Sequence, residues 1–439
     1  MNSNTKSVIK SKEFASSSIN PWLIWGCAAL FYMYQFAIRI SPSIMADQLM
    51  CDLEIQACAL GTVAAFYYHG YTAMQLPAGL ILDRIGVRYP LSFAALLCVT
   101  GSILFASSDN LTIMSVGRLL MGIGSSFGFL SCVKTASVWL PPHRLGLAIG
   151  LSFMFGTAGA TFGGIPIATV SEGAGWQPAM YLLGGIGVLI TFLVYSFVRD
   201  RKSNPFIIED AANTEKIGVF DAISIVLKNP QTYILGAYGL IMYIPLSGFA
   251  DLWGVPVLMQ SYGIKKITAT GTLTLFYIGM GVGAPLSAIF ADYFLSHKKV
   301  LMGAAAGLAG LFCVMLYCDQ IPFEVMQGTY VLAGFFAGAQ FLAFACVCEV
   351  NPNQIGATAS GIHNMLCMTS GVIFQPLIGK LLEINWDGAM VGGAPLYSQH
   401  DYHFALSSIP VCLGVGVLLC LLMKETYPRG RRGKGVTLL

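Results

Sequence analysis

The chain has 439 residues, of which 56% are hydrophobic and only 10% charged, with a formal net charge of +3. A soluble domain averages about 25% charged residues, so a water-soluble globular protein is excluded and lipid becomes the main solvent. No basic block suits nucleic acid; the terminal group Arg429, Arg431, Arg432 and Lys434 reads instead as a topology signal.

In chain order, a tail over 1–21 precedes an apolar run too long for a cleaved signal, which reads as the first membrane helix. Segments near the roughly 20 residues a spanning helix needs lie at 22–45, 57–80, 90–108, 112–138, 145–169 and 179–198. A polar stretch over 199–230 follows, then 231–256, 268–291, 300–318, 326–350, 355–379 and 404–423, and a tail over 424–439. The reading is an all-α membrane protein of twelve transmembrane helices in two pseudo-symmetric six-helix bundles, 22–198 and 231–423, joined by the linker 199–230. With both tails on one side, that side carries 18 of the 24 Lys and Arg residues and the other carries Lys265, Lys266 and Lys380, which predicts cytoplasmic termini. The halves echo each other: Pro77-Ala-Gly79-Leu-Ile-Leu-Asp83 ends the second span, and Pro285-Leu-Ser-Ala-Ile-Phe-Ala-Asp292 ends the eighth. Parallel repeats of this kind place a solute site between them near the midplane. Ten of the twelve cysteines lie inside apolar runs without metal-ligand spacing, and no metal or cofactor is expected.

The loop after the second span, Gly79-Leu-Ile-Leu-Asp83-Arg84-Ile-Gly86-Val-Arg88, resembles the signature loop of the major facilitator superfamily. In it glycine allows close approach of helix ends and an aspartate suits the positive N-terminus of a neighbouring helix, which together read as a gate, repeated at Asp292. Arg118-Leu-Leu-Met-Gly122-Ile-Gly124 is similar to the arginine-plus-glycines motif of the same superfamily, where the resemblance implies a cavity-facing arginine linked to proton transfer; structural hydrogen bonding to the neighbouring first helix is the equal alternative. Gly159-Ala160-Thr-Phe-Gly163-Gly164 resembles its exporter-associated motif, but Ala160 stands in for the proline and Phe155 for the preceding glycine, which argues against a drug exporter. Phe31-Tyr-Met-Tyr34-Gln35-Phe36-Ala-Ile-Arg39-Ile-Ser41-Pro42, Trp139-Leu-Pro-Pro and Leu252-Trp253-Gly-Val-Pro256 look like the phagosomal-transporter group of bacterial facilitators. That resemblance implies an inner-membrane importer of amino acids or other small nutrients, with polycarboxylate siderophores taken by relatives.

Charge inside a bilayer is a functional hypothesis by default. Arg39, Arg118 and Lys134 lie within spans, opposed at depth only by Asp251 and, near a boundary, Glu349. Such a cation excess suits an anionic or zwitterionic solute. Tyr32, Gln35 and Arg39 share one helix face, with Tyr34 close to it. Tyr243, Ser247 and Asp251 follow at spacings of four in the seventh span, where Asp251 could bind a substrate ammonium, pair with Arg39 in an outer gate or carry a proton. With Gln340 these form the expected substrate contacts, although Arg39 could equally snorkel to headgroups and Lys134, sixteen residues beyond Arg118, points about 160° away on a straight helix. Asp251, His69, His363 and Glu349 are the proton-carrier candidates. The chain lacks a phosphate loop, a paired-histidine motif and a nucleophile elbow, so enzymatic and ATP-driven roles are excluded. The expectation is a proton-coupled secondary transporter that works as a monomer in the bilayer by alternating access and imports a small carboxylate-bearing solute (amino acid, peptide or organic acid); the alternatives are a polycarboxylate siderophore importer and a facilitated-diffusion carrier or drug or metabolite exporter.

Overall fold

A computed structural model describes residues 20–141, 144–200, 218–318 and 321–427. The basic terminal group 429–434 and most of the linker lie outside these residues. The spans are, in order, Pro21–Ile44, Ala57–Ile85, Arg88–Ala106, Leu111–Trp139, Leu145–Ala174 and Trp176–Phe197, then Pro230–Tyr262, Lys266–Phe294, His297–Tyr317, Phe323–Glu349, Gly356–Ile384 and Gln399–Leu422. Eleven are long and apolar enough to cross a membrane alone, and the second completes the twelve when counted with the short helix Ala46–Asp52, from which it bends by 118°. Its weak apolarity has a cause: Tyr67, Tyr68, Tyr71 and Gln75 all point inward and are buried.

Breaks divide several spans. The fourth kinks at Ser126, the tenth at Ala339 and the twelfth at Ser407. The seventh carries a π-helical stretch, Pro245–Trp253, opened where a proline cannot donate to the preceding turn. Part of the linker is a further helix, Val219–Lys228, which its one-sided apolar pattern explains but the polar-stretch reading missed.

Helix packing repeats with an offset of six. Spans one and five, two and four, and three and six pair in the first half; seven and eleven, eight and ten, and nine and twelve pair in the second. Between halves, two meets eleven, five meets eight, and one meets the π stretch of seven. We call the end bearing residues 20 and 427 the near face and the opposite end the far face.

The near-face ends repeat the symmetry in detail. Asp200, after span six, accepts from the backbone N–H of Val87 at 2.5 Å and of Arg88 at 3.2 Å, capping span three. Glu425, after span twelve, accepts from the N–H of His297 at 3.0 Å and from the Ser296 hydroxyl, capping span nine. A carboxylate at a helix N-terminus meets unpaired N–H groups and the positive end of the dipole. Burial alone would raise the Glu425 carboxyl, but the bonds from Ser296, Tyr427 and His297 outweigh it and hold it below the usual range.

Candidate functional site

Span one positions the site. Pro42 has no N–H, so the carbonyl of Ile38 lacks its helical partner and accepts instead from Arg118 Nη1 at 3.0 Å and the Ser41 hydroxyl at 2.8 Å. Arg118 Nη2 reaches the Arg39 carbonyl at 3.4 Å, and its guanidinium lies 4.9 Å from the Tyr67 ring. Arg118 therefore braces span four against span one by holding backbone, the structural one of its two expected roles.

Arg39 is the centre. Its Nε lies 3.1 Å from Asp251 Oδ2, its Nη1 donates to the Tyr243 hydroxyl at 3.0 Å, and Phe36 covers one face at 4.0 Å. Asp251 also accepts from Tyr277 at 2.6 Å through Oδ1 and from Tyr68 through Oδ2. Both members are buried, at 2% and 0% exposure, and they join the two halves. Arg39 does not snorkel. Its Nη2 is buried without a hydrogen-bond partner. A guanidinium stays charged and presents a fork of donors, so an unused buried arm is costly unless a ligand takes it.

The remaining expected residues separate into those near this pair and those elsewhere. Gln35 accepts from Tyr67 at 2.7 Å, and Tyr32 packs edge-on to Phe36 and 5.7 Å from Phe129, so both belong to the same wall. Tyr34 does not: its hydroxyl donates to Leu183 O at 2.9 Å, turned toward span six. Ser247 shares a hydrogen bond with Ser370 at 2.8 Å and serves span packing. Gln340 is buried at the break in span ten with Oε1 unpartnered.

Lys134 binds Asp83 at 2.6 Å near the near face, with exposures of 33% and 66%, which removes it from the site as its angular offset from Arg118 requires. Asp83 consequently has a lysine where a helix N-terminus was expected; Asp200 supplies the cap. Gly79 meets open space and permits no close approach. Gly86 is the constrained glycine of the loop, at φ +97°, with Asp200 where a side chain would go. Arg84 is exposed, while Arg88 donates to Tyr195 O at 2.9 Å and stacks on that ring at 4.6 Å. Asp292 accepts from the Tyr427 hydroxyl at 3.0 Å.

Among the proton candidates only Asp251 sits in the charged cluster. His69 is exposed on the outer side of span two, bonded to Ala65 O. His363 is buried beside Phe344 at 4.5 Å, with Nδ1 unpartnered. Glu349 pairs with His297 at 3.2 Å by the near face. Tyr68 and Tyr277 were missed as ligands of Asp251, since phenols in apolar spans give no signal beyond general aromaticity.

The far side closes over the pair. Cys58 N donates to Glu383 at 2.7 Å and Ala57 N to the Tyr397 hydroxyl at 3.0 Å, so the second half caps span two; Lys266 pairs with Asp47 at 2.9 Å. Any side chain at Gly61 would meet the backbone of Gln375 and Pro376, which shows how tightly spans two and eleven approach. Toward the near face, Tyr71 meets Asn364, and aromatic rings bridge the halves from Phe129 through Phe153, 4.7 Å apart, to Phe341 at 4.3 Å. No ion pair joins the halves there among the described residues. A separate cavity of about 230 Å³ within the second half, lined by Phe249, Tyr262, Phe312, Tyr330 and His403, contains no member of the charged cluster.

Two helical bundles joined across a buried ion pair, sealed on one face by polar contacts and on the other chiefly by rings, define a membrane carrier. The Major Facilitator Superfamily profile matches residues 24–376, and the chain belongs to that superfamily: a multi-pass transporter, not an enzyme. It is 21% identical over 406 residues to the probable galactarate/D-glucarate transporter GudP of Escherichia coli (strain K12), covering 84% of this chain and 89% of that one. The membrane sensor protein UhpC of the same strain is 23% identical over 390 residues, with 84% and 87% covered. Among solved structures, a bacterial homolog of the human lysosomal transporter Spinster, inward-facing and unoccupied, superposes with a TM-score of 0.74 at 14% identity, covering 96% of this chain and all of that one. That likeness shows the fold.

Proposed function

We propose that the protein imports a small organic anion across a bacterial inner membrane by alternating access, with protons as the coupling ion. The observation that carries the reading is the free, buried Nη2 of Arg39, aimed from a site whose fixed charges are two arginines and one aspartate. A carboxylate of the solute would take that arm in a charge-assisted bond and compete with Asp251 for the same guanidinium. Asp251 already accepts from Tyr68 and Tyr277, which leaves it poorly placed to bind a substrate ammonium and favours an anion over a zwitterionic amino acid. The match to GudP, named for two sugar diacids, supports a dicarboxylate.

Charge balance then sets the coupling. Arg39, Arg118 and Asp251 sum to one positive charge, which a monoanion neutralises. A dianion leaves one negative charge in the membrane interior, and protonation of Asp251 removes it while freeing Arg39 for the solute. With the lysine- and arginine-rich near face cytoplasmic, the structure has its outer side sealed, and release of Asp251 from Arg39 is the step that unlocks that seal. Proteoliposomes loaded with a pH dye test this. Galactarate uptake should acidify the lumen, and Asp251→Asn should abolish the acidification; uptake of the diacid with no proton movement would reject the coupling, and preference for a citrate-type polycarboxylate would redirect the substrate to a siderophore.

A further inference from the structure

We infer that the near-face end of the second bundle forms a divalent-metal site of the zinc class from His297, Cys346 and Glu349. One ligand atom from each lies within 4.8 Å of the others. Cys346 and Glu349 are three residues apart in span ten and so share a helix face, and His297 approaches them from the first residue of span nine. His297 Nδ1 stands 3.2 Å from Glu349 Oε2. A tetrahedral ion with bonds of about 2.0–2.1 Å sets its ligand nitrogen and oxygen about 3.3 Å apart, so this pair is already spaced for one. Imidazole, thiolate and carboxylate together are a zinc donor set, and three protein ligands leave a fourth position for water.

The surroundings support the assignment. His297 and Cys346 are buried, while Glu349 is about one-third exposed and opens a route for the ion. The carboxylate of Glu425 holds the His297 backbone at 3.0 Å, Thr426 places its hydroxyl 2.9 Å from Nδ1 and beside Cys346, and the Tyr427 ring packs edge-on to the imidazole at 5.3 Å. Outer contacts of this kind orient metal ligands. Lys298, next to His297 in the chain, is turned away onto the carbonyls of Leu421 and Met423. On binding, the Cys346 thiol gives its proton to solvent, the thiolate and carboxylate supply two negative charges to the dication, and Thr426 yields its hydrogen bond to the metal. The ion then ties span nine to span ten, stiffening one bundle without crossing between halves.

Cobalt reports the site directly, because a thiolate ligand gives a charge-transfer band that oxygen ligands do not. Full-length protein treated with chelator and titrated with Co2+ should take up one ion per chain with that band, and Zn2+ should bleach it. Cys346→Ser should remove the band, Glu349→Gln should keep it while weakening affinity at least tenfold, and Cys313→Ser, at an exposed cysteine, should change neither. Absence of the band in the parent protein, or its persistence in Cys346→Ser, would overturn the assignment; if Cys346→Ser does not fold, an unchanged affinity in Glu349→Gln would do the same.

Discussion

Removing one partner of the Arg39–Asp251 pair strands the other in the membrane interior. Both are essentially inaccessible, so solvent cannot compensate, and breaking a buried pair from one side costs about 3–5 kcal/mol. That range corresponds to between two and almost four orders of magnitude in the ratio of folded to unfolded protein. The two single variants should differ. Asp251→Asn leaves a guanidinium that cannot lose its charge, held only by Tyr243 and the face of Phe36. Arg39→Met leaves a carboxyl that keeps Tyr68 and Tyr277 and neutralises itself by taking a proton. Thermal unfolding in detergent should therefore rank Asp251→Asn lowest and Arg39→Met between it and the parent. The double variant should recover most of the Asp251→Asn loss, because no charge remains unpaired. A double variant that loses the sum of the two single effects would refute the pairing argument, as would three indistinguishable melting curves.

Further outcomes follow from the seal and the loops. Gly61→Leu places a side chain against the Gln375 backbone and should hold the far face open, so that native Cys58 reacts faster with a membrane-impermeant maleimide; an unchanged rate contradicts the tight-approach reading. Glu383→Ala removes the cap on span two and should cost about 1 kcal/mol and raise Cys58 labelling in the same assay. Gly86→Ala forces a Cβ into the left-handed region and against Asp200, so stability should fall by about 1–2 kcal/mol, whereas Gly79→Ala, in open space, should be neutral or better on melting. Lys134→Ala breaks only an exposed pair and should change ligand affinity less than twofold by calorimetry, with stability down by no more than about 1 kcal/mol.

Most of the membrane architecture was legible because hydropathy and length alone specify spans. Arg39 and Asp251 were legible individually as charges at depth. Their pairing was one of three roles open to Asp251, and sequence could not choose among them, since the contact joins segments about 200 residues apart, as the Arg39–Tyr243 bond at a separation of 204 illustrates. Tyr34 went astray because it lies one residue from the Arg39 face, and that offset is enough to turn a hydroxyl to span six. Arg118 was left between a solute and hydrogen bonding to the first helix; the carbonyl it holds, freed by Pro42, is a vacancy that appears only when the helices are packed. The capping roles of Asp200 and Glu425 were hidden for a similar reason: each acts on a helix N-terminus distant in sequence.

Binding of galactarate to the purified protein by calorimetry, compared with Arg39→Gln and with the uncharged dimethyl ester, tests the anion site most directly. The diacid should bind, the ester should not, and Arg39→Gln should lose about 10- to 150-fold in affinity, the value of a hydrogen bond to a charged group. Equal affinity for the ester, or an unchanged dissociation constant in Arg39→Gln, would contradict the anion site.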